Sequence, residues 1–140
     1  MKNTLATLLA LFTWFVFSIP VQAGPVGEIK STLTSTRQQT MSMLGEDDRA
    51  VLEMRYDDAL KSSKELDVLL AAAMKNDSLR AIQPTLAQFK TIWEAFKKTR
   101  DSEILPMVYA GEHLKARYTA FTVQAPRFKK MNELLDALPQ

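Results

Sequence analysis

Apolar residues recur three and four positions apart along most of this chain. The longest run is Leu79, Ile82, Leu86, Phe89, Trp93 and Phe96, followed after Gly111 by Leu114, Tyr118, Phe121, Ala125, Phe128, Met131, Leu135 and Leu138. This is the period of one helix face, and a stripe so narrow and long is buried by other helices. Two long helices folded back on each other are expected here, 79–110 and 112–138, with Gly111 making the turn.

Upstream, Val26, Ile29, Leu33, Thr36, Thr40 and Met43 repeat at the same spacing and predict a helix over 26–44. Its middle is rich in Ser, Thr and Gln, whose side chains compete for their own backbone, so tertiary contacts must keep it helical. Gly45 is expected to close it in a left-handed cap. A second helix, 47–74, opens behind Glu46, Asp47 and Asp48, acids that suit a helix N-terminus. Its inner stripe is expected to run through Val51, Leu52, Tyr56, Ala59, Ser63, Leu66, Leu69, Leu70 and Ala73. Pro84 lies near a helix start, whereas Pro106 and Pro126 lie deep in the pattern, where a missing N–H and a ring clash predict kinks. Connections this short predict an all-α, up-down-up-down antiparallel four-helix bundle.

Before the first helix come Lys2, an apolar run from Leu5 to Ile19, and Pro20-Val21-Gln22-Ala23. These are the three regions of a signal peptide, and the run is shorter than the roughly 20 residues that a membrane span needs. Residues 1–23 are expected to be a cleaved leader and 24–140 the four-helix domain, periplasmic or secreted; an uncleaved membrane anchor is the rival reading. The chain has no cysteine, which removes disulfides, thiolate metal sites and cysteine catalysis. Its formal charge of +2 falls to +1 without Lys2, and no Lys/Arg cluster marks a nucleic-acid footprint. No G-x-S-x-G, Gly-rich phosphate loop or Glu-x-x-His pair is present, so no enzymatic activity and no cofactor are expected.

Several segments together resemble the four-helix-bundle ligand-binding domain of bacterial methyl-accepting chemotaxis receptors and related sensor kinases. They are Glu46-Asp47-Asp48-Arg49, the Trp93 and Phe96 pair leading to Lys98-Thr99-Arg100-Asp101, the turn Ile104-Leu105-Pro106-Met107-Val108-Tyr109-Ala110-Gly111-Glu112 with Lys115-Ala116 after it, and Phe128-Lys129-Lys130-Met131-Asn132-Glu133-Leu134-Leu135-Asp136. The resemblance spans residues 46 to 138. It implies an extracytoplasmic sensory bundle, often paired with a second copy, that binds a small molecule or a binding protein. Helix 112–138 is followed here only by Pro139 and Gln140, with no transmitter module, so the expected role is binding a small ligand or a membrane receptor partner.

Arg100 occupies a seam position where Leu or Ile would be expected, and a buried guanidinium requires a partner or a ligand. Counting from the turns places it level with Asp57, Thr34 and Thr122. Two readings follow: an Arg100–Asp57 ion pair, or a carboxylate pocket with Arg100 as fork and Thr34, Arg37 and Thr122 as further donors. In a dimeric sensor bundle Thr36, Arg37 and Thr40 would face the second copy; otherwise they lie on a solvated face. His113 is the only histidine, and Met41, Met43, Met54 and Met107 count to the same end, a set that suits Cu(I) or haem. Methionine as core filler is the plainer account. Leu33-Thr34-Ser35-Thr36-Arg37-Gln38 nearly matches the L-T-x-x-Q motif of small periplasmic chaperones. A helical chaperone or a copper- or haem-handling stress protein is therefore the alternative function.

Overall fold

The computed structural model describes residues 24–139, and these form four helices with no strand. Helix α1 is Pro25–Met43 and α2 is Arg49–Lys75. A 3₁₀ segment, Asp77–Ile82, leads into α3, which covers 83–109 as Gln83–Thr99, a π-turn Arg100–Ile104 and Leu105–Tyr109. Helix α4 covers 113–136 in the same way: His113–Thr119, a π-turn Ala120–Gln124 and Ala125–Asp136. The leader expected over 1–23 lies outside the described residues. No helix among the described residues is long and apolar enough to cross a membrane.

Local chemistry accounts for the ends. Asp48 caps α2 by accepting from the N–H groups of Ala50 and Val51, which satisfies donors that have no intrahelical partner. Asn76 caps the 3₁₀ segment through Ser78 N–H, so the third helix begins at Gln83 rather than at 79. Pro84 lies in the first turn of α3, where its missing N–H costs nothing. Gly111 adopts φ +72° in the α3–α4 turn. Gly45 does not take the expected left-handed cap, since α1 ends with Leu44 in the right-handed region. Its bareness serves another purpose, because a Cβ there would lie 2.6 Å from Arg117 Nη2.

Consecutive helices pack along each other, and α1 also meets α4. Partner numbers run in opposite senses: Gln39 with Ser62 and Ser42 with Arg55 across α1/α2, Asp67 with Trp93 and Tyr56 with Asp101 across α2/α3. The interior divides into two apolar clusters. One, at the chain-terminal end, gathers Val26, Ile29, Leu33, Leu66, Leu70, Leu86, Phe89, Trp93, Phe96, Met131 and Leu135. The other, at the turn end, gathers Met43, Leu44, Leu52, Ala59, Ile104, Leu105, Val108, Ala116 and Ala120.

A π-turn stands directly before each proline where a kink is expected. Leu105 N–H bonds to Arg100 C=O and Ala125 N–H to Ala120 C=O, five residues back in each case, directly before Pro106 and Pro126. Each wide turn inserts one residue and rotates the helix beyond it by about 100°. The buried set of α3 therefore steps from Phe89, Trp93 and Phe96 to Ile104, Leu105 and Val108. In α4 the same step overturns half of the expected seam. Ala116, Thr119, Ala120 and Gln124 face inward, whereas Leu114, Tyr118 and Phe121 stand 82%, 70% and 59% exposed.

Candidate functional site

Between the two apolar clusters lies a layer of buried polar residues contributed by all four helices. Thr36 and Thr40 come from α1, Ser62 and Ser63 from α2, Thr99 and Arg100 from α3, and Thr119 and Gln124 from α4. Seam spacing puts Thr36, Thr40, Ser63 and Arg100 there, the π-turn brings in Gln124, and hydrogen bonds tie the layer together. Ser62 Oγ lies 3.0 Å from Thr36 Oγ1 and also bonds to Gln39 Oε1. Ser63 donates to Ala59 C=O at 2.7 Å and accepts from Arg100 Nη1 at 2.6 Å. Gln124 Nε2 donates to Phe96 C=O at 2.8 Å, and Arg127 Nη1 to Thr99 Oγ1 at 2.7 Å. No buried side-chain polar atom among the described residues is left without a partner. That condition is what makes such a layer tolerable in a low-dielectric interior.

Arg100 is 1% exposed, as its seam position predicts, but its carboxylate is not Asp57. Its Nε donates to Asp101 Oδ1 at 2.7 Å and its Nη2 to Asp101 Oδ2 at 3.2 Å, a forked pair with the adjacent residue at the head of the π-turn. Asp57 is exposed on α2, because at this level α2 presents Ala59 and Ser63 inward and Tyr56 toward α3. Tyr56 Oη donates to Asp101 Oδ1 at 3.5 Å. Burial, then the Asp101 charge, raises the Tyr56 phenol above its usual pKa of 10.0.

The expected carboxylate pocket does not assemble around Arg100. Thr34 and Thr122 are exposed and donate to carbonyls of their own helices, Lys30 at 3.0 Å and Tyr118 at 2.7 Å. Thr122 belongs to the second π-turn, whose extra residue carries it to the outer face. Thr36 and Thr40 are buried, so they are not part of a face turned to a second copy. Arg37 lies over the Phe128 ring, 4.3 Å from its centroid, a cation–π arrangement that bridges α1 and α4. Around this pair Thr34, Gln38, Met41 and Asn132 complete a groove of about 430 Å³. Two of the four expected donors, Thr34 and Arg37, thus share one site with an aromatic wall. Phe128 was legible as a seam residue, but not that it stops half-buried at the groove.

His113 and Met41, Met43 and Met107 lie at the turn end, and each has a structural partner there. The ring's Nδ1 lies 3.1 Å from Leu44 C=O and its Nε2 2.8 Å from Asp47 Oδ1. Both partners only accept, so the imidazole makes both bonds at once only when both nitrogens carry protons. Met43 is buried in the turn-end cluster, Met41 and Met107 pack against it, and Met54 is 57% exposed on α2. These side chains fill the core at one end, while His113 ties the α1–α2 connection to the start of α4.

No family model, curated protein or solved structure matches the chain.

Proposed function

We propose that the protein is an exported, non-enzymatic up-down-up-down four-helix bundle of the chemoreceptor sensory type that binds a small anionic ligand for a membrane receptor partner. The α1/α4 groove is its site. The opposite numbering of partners across α1/α2 and α2/α3 supports the antiparallel arrangement. The observation that carries the binding reading is the Arg37–Phe128 pair. A guanidinium beside an aromatic wall, with the second Nδ2 hydrogen of Asn132 at hand after the first is given to Phe128 C=O, suits a ligand with a carboxylate head and an apolar body. Arg100 is excluded from that role because Ser63 and Asp101 already hold it.

The test is a thermal-shift screen with amino acids and organic acids. A ligand at about 100 times its Kd stabilises the folded state by about 2.7 kcal/mol, a readily measured shift. Arg37→Ala abolishes the shift, whereas Thr122→Ala leaves it intact. An unmoved melting temperature across a broad library, or a shift that survives Arg37→Ala, overturns the assignment.

A further inference from the structure

The first half of α4 is inverted: its inner positions are the small Ala116, Thr119 and Ala120, and its large apolar side chains point away from the core. Leu114, Tyr118 and Phe121 follow one another at four and three residues, so they form a single ridge along the helix. A contiguous apolar ridge of this exposure on a folded surface marks an interaction site. The flanks of the ridge are cationic. By helical spacing Lys115 falls on one side of it and Arg117 on the other, both exposed, and Lys129 and Lys130 continue the charge beyond the π-turn. From His113 to Asn132 the sequence contains no Asp or Glu. Arg117, its guanidinium beside Gly45, has no acidic partner among the described residues, whereas Lys115 pairs with Glu112 at 3.0 Å and Lys129 and Lys130 both pair with Glu133, at 3.7 and 3.9 Å.

We infer that this face of α4 docks on an anionic lipid bilayer, with the Leu114–Tyr118–Phe121 ridge sunk into the interface and the flanking Arg117 and Lys115 against lipid phosphates. The charges decide for that occupant. A second copy applied face to face would bring like-charged flanks together, which opposes pairing. The ridge is convex, so a protein partner would have to supply a matching groove, whereas a bilayer receives a convex amphipathic helix without one. Long basic side chains beside an apolar ridge reach outward to headgroup level.

The chain has no cysteine, so a polarity-sensitive fluorophore can be placed at one site in the full-length protein. With Tyr118→Cys labelled, emission shifts to the blue and rises at least about twofold on adding vesicles of phosphatidylglycerol and phosphatidylcholine. The rise is absent with phosphatidylcholine alone and is suppressed by high salt. The same label at Val68→Cys, exposed on α2, does not respond, which separates docking of α4 from any insertion by residues 1–23. Lys115→Glu with Arg117→Glu lowers vesicle binding by roughly tenfold or more, with circular dichroism unchanged. Equal responses at 68 and 118, or with neutral vesicles, overturn the inference. So does a vesicle-independent response that grows with protein concentration, which would assign the face to a second copy. Suppression of an unfolded client's aggregation without a vesicle response would assign it to chaperoning. None of these readouts involves Arg37, so failure here leaves the groove reading standing, and the reverse.

Discussion

The two apolar clusters sit at opposite ends of the same four helices and are made of different residues. The chain-terminal cluster is dense with large groups: Trp93 stacks on Phe96 with centroids 5.7 Å apart, and Phe89, Ile29, Leu66 and Leu86 are fully buried around them. The turn-end cluster has alanine at Ala59, Ala116 and Ala120, and owes its bulk to Met43, Leu52 and Ile104. Large inner side chains hold one end together through buried area. At the other end the inner side chains of α4 are small, and its large ones are turned outward. The polar layer and the two π-turns mark where one regime gives way to the other. The end whose α4 side chains facing inward are small is therefore also the end that carries the exposed ridge.

The largest expected effect is at the aromatic end. Trp93→Ala removes a fully buried ring, its stack on Phe96 and the 2.7 Å bond to Asp67, and should lower unfolding free energy by about 4 kcal/mol. Leu52→Ala at the turn end should cost about 2 to 3 kcal/mol. Urea titration of both variants checks the ordering, and an equal or reversed pair of losses would break the contrast between the ends.

The boundary between the ends gives the next effect. Arg100→Ala leaves a hole and strips Ser63 of its donor, and should cost about 2 kcal/mol, moderated because Asp101 is partly solvated. Arg100→Met fills the same space without charge and should be near neutral, as apolar replacements of buried ions often are. If Met proves as damaging as Ala, the layer depends on the Arg100 hydrogen bonds rather than on packing. Chemical denaturation of the two variants side by side decides it.

The sequence made some of this legible and hid the rest for identifiable reasons. Spacing located all four helices and the buried faces of α1, α2 and the first half of α3, because regular α-helix preserves the three-and-four pattern. It also marked Arg100 as interior. It failed from Leu114 to Phe121 because that pattern assumes 3.6 residues per turn throughout, and one inserted residue at 120–124 turns the inward face by about 100° between the two halves of α4. The signal was present in the prolines: Pro106 and Pro126 each follow a seam that resumes one residue out of step. Arg37 and Thr34 were singled out, but Phe128 joined them only once α1 and α4 were seen to part around the groove. The Asp57 pairing failed because level counting gives height along a helix and says nothing about azimuth.

Smaller effects separate the two glycines at the turn end. Gly111→Ala forces a Cβ onto φ +72° and should cost about 1 kcal/mol. Gly45→Ala meets only the end of the flexible Arg117 side chain and should change stability by less than about 0.5 kcal/mol. Thermal melts of the two variants test whether backbone conformation or close approach limits this end, and a larger loss at Gly45 would reverse the assignment.

The smallest effect is a pH dependence at the junction. Tyr56 sits where α2 meets the Arg100–Asp101 pair, and burial followed by the Asp101 charge raises its phenol above 10.0. A raised acid holds its proton more tightly folded than unfolded, so its contribution is fully present below pH 10 and is lost as pH climbs through the folded value. Between pH 9 and 11.5 the wild type should therefore lose more stability than Tyr56→Phe, whose ring stays neutral, and below pH 9 the difference between the two should be constant. Denaturation series at matched ionic strength measure it. Equal losses in the wild type and Tyr56→Phe across that range would mean that the phenol is held no differently in the folded and unfolded chain, and would remove Tyr56 as the titrating element of the α2/α3 seam.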